Sequence, residues 1–220
     1  MPRYPNFNEA DVSDKPAWIR NLGLTDPVKM DSDRRRQYEM LLSVDEMIEK
    51  IVTKLAAKGI LDRTVIFYTS DNGYSHGEHR HIAKLCEYEE CIRVPLKIRY
   101  PAAQSRIINS LVQNTDIAPT LAELAGISAP GADGLSVVSL LENKALSWRT
   151  GTLHYKIGGP AIPGFWAIRR KDWKYVELTT GERELYNLIN DPYELVNLAG
   201  QNTTSTIQAQ LATELLQLRK

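Results

Sequence analysis

Between Asp31 and Lys58, apolar residues recur at three- and four-residue steps: Leu41, Val44, Ile48, Ile51 and Leu55. That spacing places them on one face of a helix, with Glu46 and Lys50 as an i,i+4 pair on the wet side and Gly59 as the stop. After "LDR" the pattern changes to "TVIFYTS" (64–70), β-branched and aromatic with little alternation. Such a run predicts a strand covered on both faces, as in a parallel sheet. "IRVPLKIRYP" (92–101) predicts a second strand, and "TDIAPTLAELAG" (115–126) a short helix. Thr115 or Asp116 would cap that helix and Gly126 would close it. The order helix, strand, loop, strand, helix argues for an α/β class.

From about Trp148 the texture is different. "TLHYKI", "GFWAIRR", "WKYVEL" and "RELYNL" are short, aromatic and partly alternating, with turn signals such as "GGP" and "TTGE" between them. They predict a small antiparallel sheet. "STIQAQLATELLQLRK" predicts a closing helix with Ile207, Leu211, Leu215 and Leu218 on one side. At the other end, residues 1–30 are rich in Pro, Asp and Asn and predict an irregular arm. Three regions result: an arm (1–30), an α/β region (31–147) and an antiparallel-sheet subdomain (148–220).

Composition narrows the function classes. The chain has 220 residues, enough for one large domain or somewhat more, and is 43% hydrophobic. Lys+Arg and Asp+Glu are equal at 27 each, so no net field favours nucleic acid or an anionic membrane. No stretch approaches the length and apolarity of a membrane span, and "MPRYPNFNEADVSDKP" is not a signal segment, which leaves localisation open. Cys86 and Cys91 make no disulfide framework and no zinc spacing; five residues apart, they would not share a helix face, and they are expected to be two ordinary thiols. "NTT" at Asn202 is a glycosylation triplet of the kind that chance supplies.

The chemistry concentrates in "YTSDNGYSHGEHRHIAKLCEYEE" (68–90), which holds three of the four histidines. Catalytic and ligand groups in open α/β sheets gather beyond the carboxyl ends of strands, where Asp71 and Asn72 stand. Both offer oxygen donors suited to a hard cation such as Ca²⁺ or Mg²⁺. Taken alone, "SDNG" is explained as well by a turn, the histidines by a solvated loop and Lys84 by an ordinary surface lysine.

The combination resembles the sulfatase family of the alkaline-phosphatase-like superfamily. "SDNGYSHGEHRHIAKLCEYEECIRVPLKIRYP" is similar to its metal-site loop, and "SVDEMIEKIVTKLAAKGILDRTVIFYTSDNG" to the helix and strand before it. "NTDIAPTLAELAGISAPGADGLSVVSLL", "WRTGTLHY" and "ELYNLINDPYELVNLA" resemble the segments that follow. "FNEADVSDKPAWI" is similar to the arm of the branch containing N-acetylglucosamine-6-sulfatases.

This resemblance implies part of an alkaline-phosphatase-like sandwich, a mixed sheet flanked by helices, with a small C-terminal antiparallel sheet and a terminal helix. It implies Asp71 and Asn72 as two ligands of a Ca²⁺ ion, and Lys84 as the lysine that contacts the sulfate ester. His79, in the Gly-Glu-His element, is expected either to line the pocket or to be structural. Glu89, Glu90 and Arg93 are expected to form a structural network, with Arg93 salt-bridged. The family's formylglycine, made from a Cys/Ser-x-Pro/Ala-x-Arg motif, has no counterpart here, since neither "CEYEE" nor "CIRVP" fits.

The expectation is therefore the C-terminal portion of a sulfuric ester hydrolase. It would act on sulfate esters, including those of sulfated sugars, only when a formylglycine-bearing N-terminal half or second chain completes it. The alternative is a non-catalytic binding module that reuses the fold.

Overall fold

The computed structural model describes residues 3–144 and 147–219. In chain order the elements are α1 (Ala17–Arg20), α2 (Pro27–Ala57), β1 (Ile66–Thr69), β2 (Ser75–His76), β3 (Ile82–Ala83), α3 (Glu89–Ile92) and β4 (Leu96–Arg99). Then come α4 (Ile117–Leu124), α5 (Val138–Leu141), β5 (Gly151–Lys156), β6 (Phe165–Arg170), β7 (Trp173–Leu178), β8 (Arg183–Asn187) and α6 (Ser205–Leu218). They fall into two compact units. The first comprises residues 1–25, 72–94 and 149–220, and the second 26–71 and 95–148. Among the described residues no helix is long and apolar enough to cross a membrane.

The first unit is built on the antiparallel sheet β5-β6-β7-β8. Its four strands are the four aromatic runs of the sequence, and their period of two sorts the side chains onto two faces. Ile168, Tyr175 and Leu185 point to one face and are covered by Leu211 and Leu215 of α6. Phe165, Ala167, Val176 and Leu178 occupy the other, against Trp18. A third cluster joins Val12, Ile19, Cys86, Tyr88, Cys91, Tyr186 and Leu188. It ties the N-terminal arm and the 72–94 segment to the sheet. Of the predicted arm (1–30), residues 3–26 are irregular apart from the single turn α1, and 27–30 already belong to α2.

Cys86 and Cys91 are joined by a disulfide, which corrects the expectation of two free thiols. Spacing on a helix was the wrong measure. The residues between them are not a continuous helix, because α3 begins only at Glu89, and the Cα atoms lie 5.5 Å apart. That separation is within reach of a disulfide.

In the second unit, α2 starts at Pro27, four residues before the expected Asp31. Asp26 caps it, accepting from Val28 N at 2.9 Å, and Pro27 fills the first turn, where no N–H is needed. The Glu46–Lys50 pair forms, at 3.7 Å. Of the predicted apolar face, Val44, Ile48 and Leu55 are half-buried while Leu41 and Ile51 are 46% and 47% exposed.

Strand β1 pairs antiparallel with β4, Ile66 opposite Arg99 and Thr69 opposite Leu96. The expectation of a parallel-sheet strand covered on both faces is corrected. Ile66 and Phe67 are half-buried, Tyr68 and Thr69 exposed, and β4 is the one strand partner among the described residues. An unbroken apolar run shows that a strand can be covered, not what covers it. Residues 115–126 give the expected helix, preceded by a 3₁₀ turn over Asn114–Asp116. Asp116 is buried and fixes the adjoining loop, accepting from Gln113 N at 2.9 Å and Leu135 N at 2.7 Å.

Candidate active-site loop

Residues 72–94 form a loop whose shape is set by close backbone approaches. A Cβ on Gly73 would lie 2.0 Å from Glu90 O, so only glycine fits, and Gly73 N donates to Cys91 O at 2.9 Å. Gly77 has φ +110°, and a Cβ there would strike the Phe7 ring and Thr25 Oγ1, each at 2.7 Å. The loop then runs through the two-stranded β2–β3 ladder, with Ser75 opposite Ala83 and His76 opposite Ile82. Four of its non-glycine residues take positive φ: His79, Arg80, Ala83 and Leu85. Such backbone is costly and persists only where surrounding contacts enforce it.

The contacts come from the arm. Phe7 bridges Glu78, Asn8 N donates to Gly77 O at 2.8 Å, and His79 N donates to Asn6 O at 2.8 Å. Arg80 donates to the carbonyls of Glu9 and Ala10, both at 2.9 Å. The proline- and aspartate-rich arm is therefore the clamp on the Gly-Glu-His-Arg turn.

His79 is fully buried. Its Nδ1 meets Glu9 Oε2 at 2.6 Å, its Nε2 lies 3.3 Å from Asn6 Nδ2, and its ring stacks on Tyr88 at 3.9 Å. Burial holds its pKa down at about 3, so the imidazole is neutral and donates from Nδ1. Glu9 is pushed up to about 7 by burial, against the pull of Lys15, whose Nζ lies 3.3 Å away. These placements favour the structural role for His79. His81 is also buried, with Nε2 3.2 Å from Lys84 O, and burial lowers its pKa.

Lys84 itself is exposed, between the positive-φ residues Ala83 and Leu85. Asn72 is half-buried and its Nδ2 donates to Gly73 O at 2.9 Å; Asp71 is exposed. The unit boundary falls between Asp71 and Asn72, and each is described with its own unit. A carboxylate and an amide oxygen are donors of the kind that hard cations take.

Glu89 and Glu90 are structural, as expected. Glu89 accepts from Arg169 Nη2 at 3.0 Å, and Glu90 accepts from Asn6 Nδ2 at 2.8 Å. The expected salt bridge of Arg93 is corrected: Arg93 is exposed and makes no ion pair among the described residues, because Arg169 of the sheet takes Glu89.

A buried charge network, which the sequence reading missed, lies behind the loop. Lys174 of β7 pairs with Glu194 and donates to Glu87 O at 2.7 Å. Tyr88 and Tyr186 donate to Glu184 Oε1 at 2.8 and 2.5 Å. Burial, then the facing Glu184 carboxylate, raises the pKa of Glu87 well above the ordinary range. A proton shared by the pair would satisfy Glu87 Oε2 and Glu184 Oε2, which otherwise lack partners. The only sequence signal was alternation, since Lys174 and Glu184 fall in phase with buried apolar neighbours. His79, Glu90 and Glu194 also bring ligand atoms within 4.8 Å of one another. Each is already engaged, by Glu9, Asn6 and Lys174 respectively, which makes the cluster part of the network rather than a metal site.

Residues 77–220 match the family described as N-sulphoglucosamine sulphohydrolase, C-terminal, and residues 2–127 match the one described as sulfatase. The chain belongs to the sulfatase family and carries its C-terminal part. An arylsulfatase of Volvox carteri is 35% identical over 89% of this chain and 36% of its own length. An N-acetylglucosamine-6-O-sulfatase of Bacteroides thetaiotaomicron is 34% identical over 82% of this chain and 34% of its own length. The chain thus spans about a third of the length of these curated relatives. A protein solved in complex with its substrate D-glucosamine-2-N,6-O-disulfate superposes with a TM-score of 0.72 at 33% identity, covering 80% of this chain and 38% of that one. A phosphonate monoester hydrolase of Agrobacterium radiobacter gives 0.77 at 28% identity, over 86% of this chain and 42% of its own. The α/β fold is alkaline-phosphatase-like, with helices, a small four-stranded antiparallel sheet and a terminal helix.

Proposed function

We propose that this chain is the C-terminal portion of a sulfuric ester hydrolase and that Lys84 is its catalytic contribution. The carrying observation is the contrast within one loop. His79 and His81 turn inward, while Lys84 is presented to solvent from backbone held on both sides. Its ammonium would neutralise charge on the sulfuryl oxygens and on the leaving oxygen as the S–O bond breaks. Asp71 and Asn72 are read as two ligands of a Ca²⁺ ion, which when bound acts as a Lewis acid on the ester. With two protein donors, the isolated chain should bind that ion weakly.

No residue here matches the formylglycine motif, so the nucleophile must come from a preceding half or a second chain. The substrate class is a sulfate ester, and a sulfated carbohydrate fits the sugar sulfatases among the relatives. The purified chain with Ca²⁺ should not hydrolyse p-nitrophenyl sulfate above background. Supplying the formylglycine-bearing half should restore turnover, and Lys84→Ala should then lower kcat by about 10²–10³-fold, the scale of a lost transition-state contact. Turnover by the chain alone that Lys84→Ala abolishes would overturn the division of labour.

A further inference from the structure

We propose that the Cys86–Cys91 disulfide positions Lys84 and the Asn72–Gly73 turn, so that order in the catalytic loop depends on the oxidised state. The inference rests on the reading of Lys84 given above. Lys84 is bounded by Ala83 at φ +102° and Leu85 at φ +80°, conformations that side-chain-bearing residues adopt only under constraint. On the N-terminal side the constraint is the β2–β3 ladder, together with the His81 Nε2 contact to Lys84 O at 3.2 Å. On the C-terminal side it is Cys86, two residues on and held by its bond to Cys91.

Cys91 is a junction. Its carbonyl accepts from Gly73 N at 2.9 Å and its sulfur lies 3.8 Å from Ala83 O. Both cysteines are buried in the cluster that contains Tyr88 and Tyr186. The covalent bond therefore ties the residue after Leu85 to Cys91, which itself holds the turn after Asn72 by a hydrogen bond and touches the residue before Lys84. The bridge closes a segment of only a few residues and constrains the unfolded chain little, so its effect is expected to be local.

A dithiol would break the S–S bond, supplying two electrons and two protons and becoming a disulfide itself. The positive-φ residues beside Lys84 would then relax. In the intact chain, reduction should raise cleavage by the endoprotease Lys-C after Lys84 at least tenfold, with faster amide exchange at Gly73. Cleavage after Lys171, in the exposed turn between β6 and β7, should not change. Cys86→Ser/Cys91→Ser should behave like the reduced chain, and reduction of folded wild type serves where that variant fails to fold. In the assembly with the formylglycine half, reduction should lower kcat at least tenfold while KM changes less than threefold, and Lys84→Ala should blunt that loss.

Cleavage at Lys84 that changes less than twofold, with both thiols shown by labelling to be free, would overturn the proposal. So would a loosened loop with undiminished kcat. A fully active Lys84→Ala assembly would instead overturn the sulfate-contact reading, a different failure.

Discussion

The two units put their burial to different use. The first buries charge as readily as it buries carbon. Lys15, Lys174, Glu9, Glu87, Glu184 and Glu194 are all enclosed, beside Tyr175, Tyr186, Leu211 and Leu215. Among the described residues the second unit contributes only Met30, Val137, Val138 and Leu140 to the buried apolar residues, and its long helix leaves Met40, Leu42 and Met47 between 51% and 65% exposed. The first unit brings its own partners for nearly every sequence pattern it carries. The second carries patterns, an apolar helix face and an apolar strand, that call for cover. Under the proposal that a formylglycine-bearing half completes this chain, the second unit would be the surface which that half covers.

The largest break should come from the first unit's charge network. Lys174 and Glu194 are both buried, and removing Glu194 leaves the Lys174 amine in the interior without that partner. Glu194→Ala is expected to cost about 3–5 kcal/mol, read by urea denaturation followed through tryptophan fluorescence. Lys174→Met with Glu194→Leu should recover most of that loss. A loss below about 1 kcal/mol for Glu194→Ala would show that the network does not hold the unit together.

Packing should come next. Leu211 of α6 is fully buried against Ile168, Tyr175 and Leu185, and Leu211→Ala should cost about 2–5 kcal/mol in the same transition.

Proton linkage should be smaller and should have a definite sign. The carboxyl of Glu9 is raised to about 7 and that of Glu194 to about 8, from an ordinary 4.5, by burial in each case. A raised acid gives stability that is fully present below about pH 4.5 and lost as pH rises through the folded value. His79, lowered to about 3, does the reverse: its contribution is present above about pH 6.5 and lost as pH falls. The melting temperature should therefore be highest in mild acid and decline toward pH 8. Each proton involved sets a slope of about 1.4 kcal/mol per pH unit. Glu9→Gln should flatten the alkaline limb, with Lys15 still held by Asp14 at 2.9 Å. Calorimetry across pH 4–8 that shows the same limb in both proteins would remove Glu9 from the account.

How much the sequence disclosed follows the same division. The four strands and the closing helix of the first unit were readable because period two and period 3.6 both find their partners inside the chain. The helix within 115–126 was readable from its apolar spacing and its stop at Gly126, but the expected side-chain cap is not made: Asp116 accepts instead from Gln113 N and Leu135 N. β1 misled, because an unbroken apolar run does not say whether its cover is parallel, antiparallel or elsewhere. Residues Asn6, Glu9 and Lys15 looked like parts of a polar arm; their burial depends on contacts about seventy residues away with the His79 turn and beyond. Cys86 and Cys91 were misjudged by assuming helical geometry over a bend. Asp71, Asn72 and Lys84 are proposed from the sequence alone, and the clamp that the arm places on the loop carrying Lys84 had no signal there.

The smallest effect tests the other side of the comparison. Met47 and Ile51 lie one turn apart on the same face of α2, 51% and 47% exposed, in a stretch where Tyr38, Met40 and Leu42 are exposed too. If this face is uncovered in the isolated chain, Met47→Gln with Ile51→Gln removes little burial. The melting temperature should move by no more than about 0.5 kcal/mol equivalent, the range of ordinary surface substitutions. The same change should lower binding of a hydrophobic dye and reduce self-association in light scattering, because apolar patches and open strand edges promote association. It should also weaken assembly with a formylglycine-bearing half, whose docking would bury these side chains. A cost of 2 kcal/mol or more in the isolated chain would mean that α2 is already covered, and the second unit would then be as self-sufficient as the first.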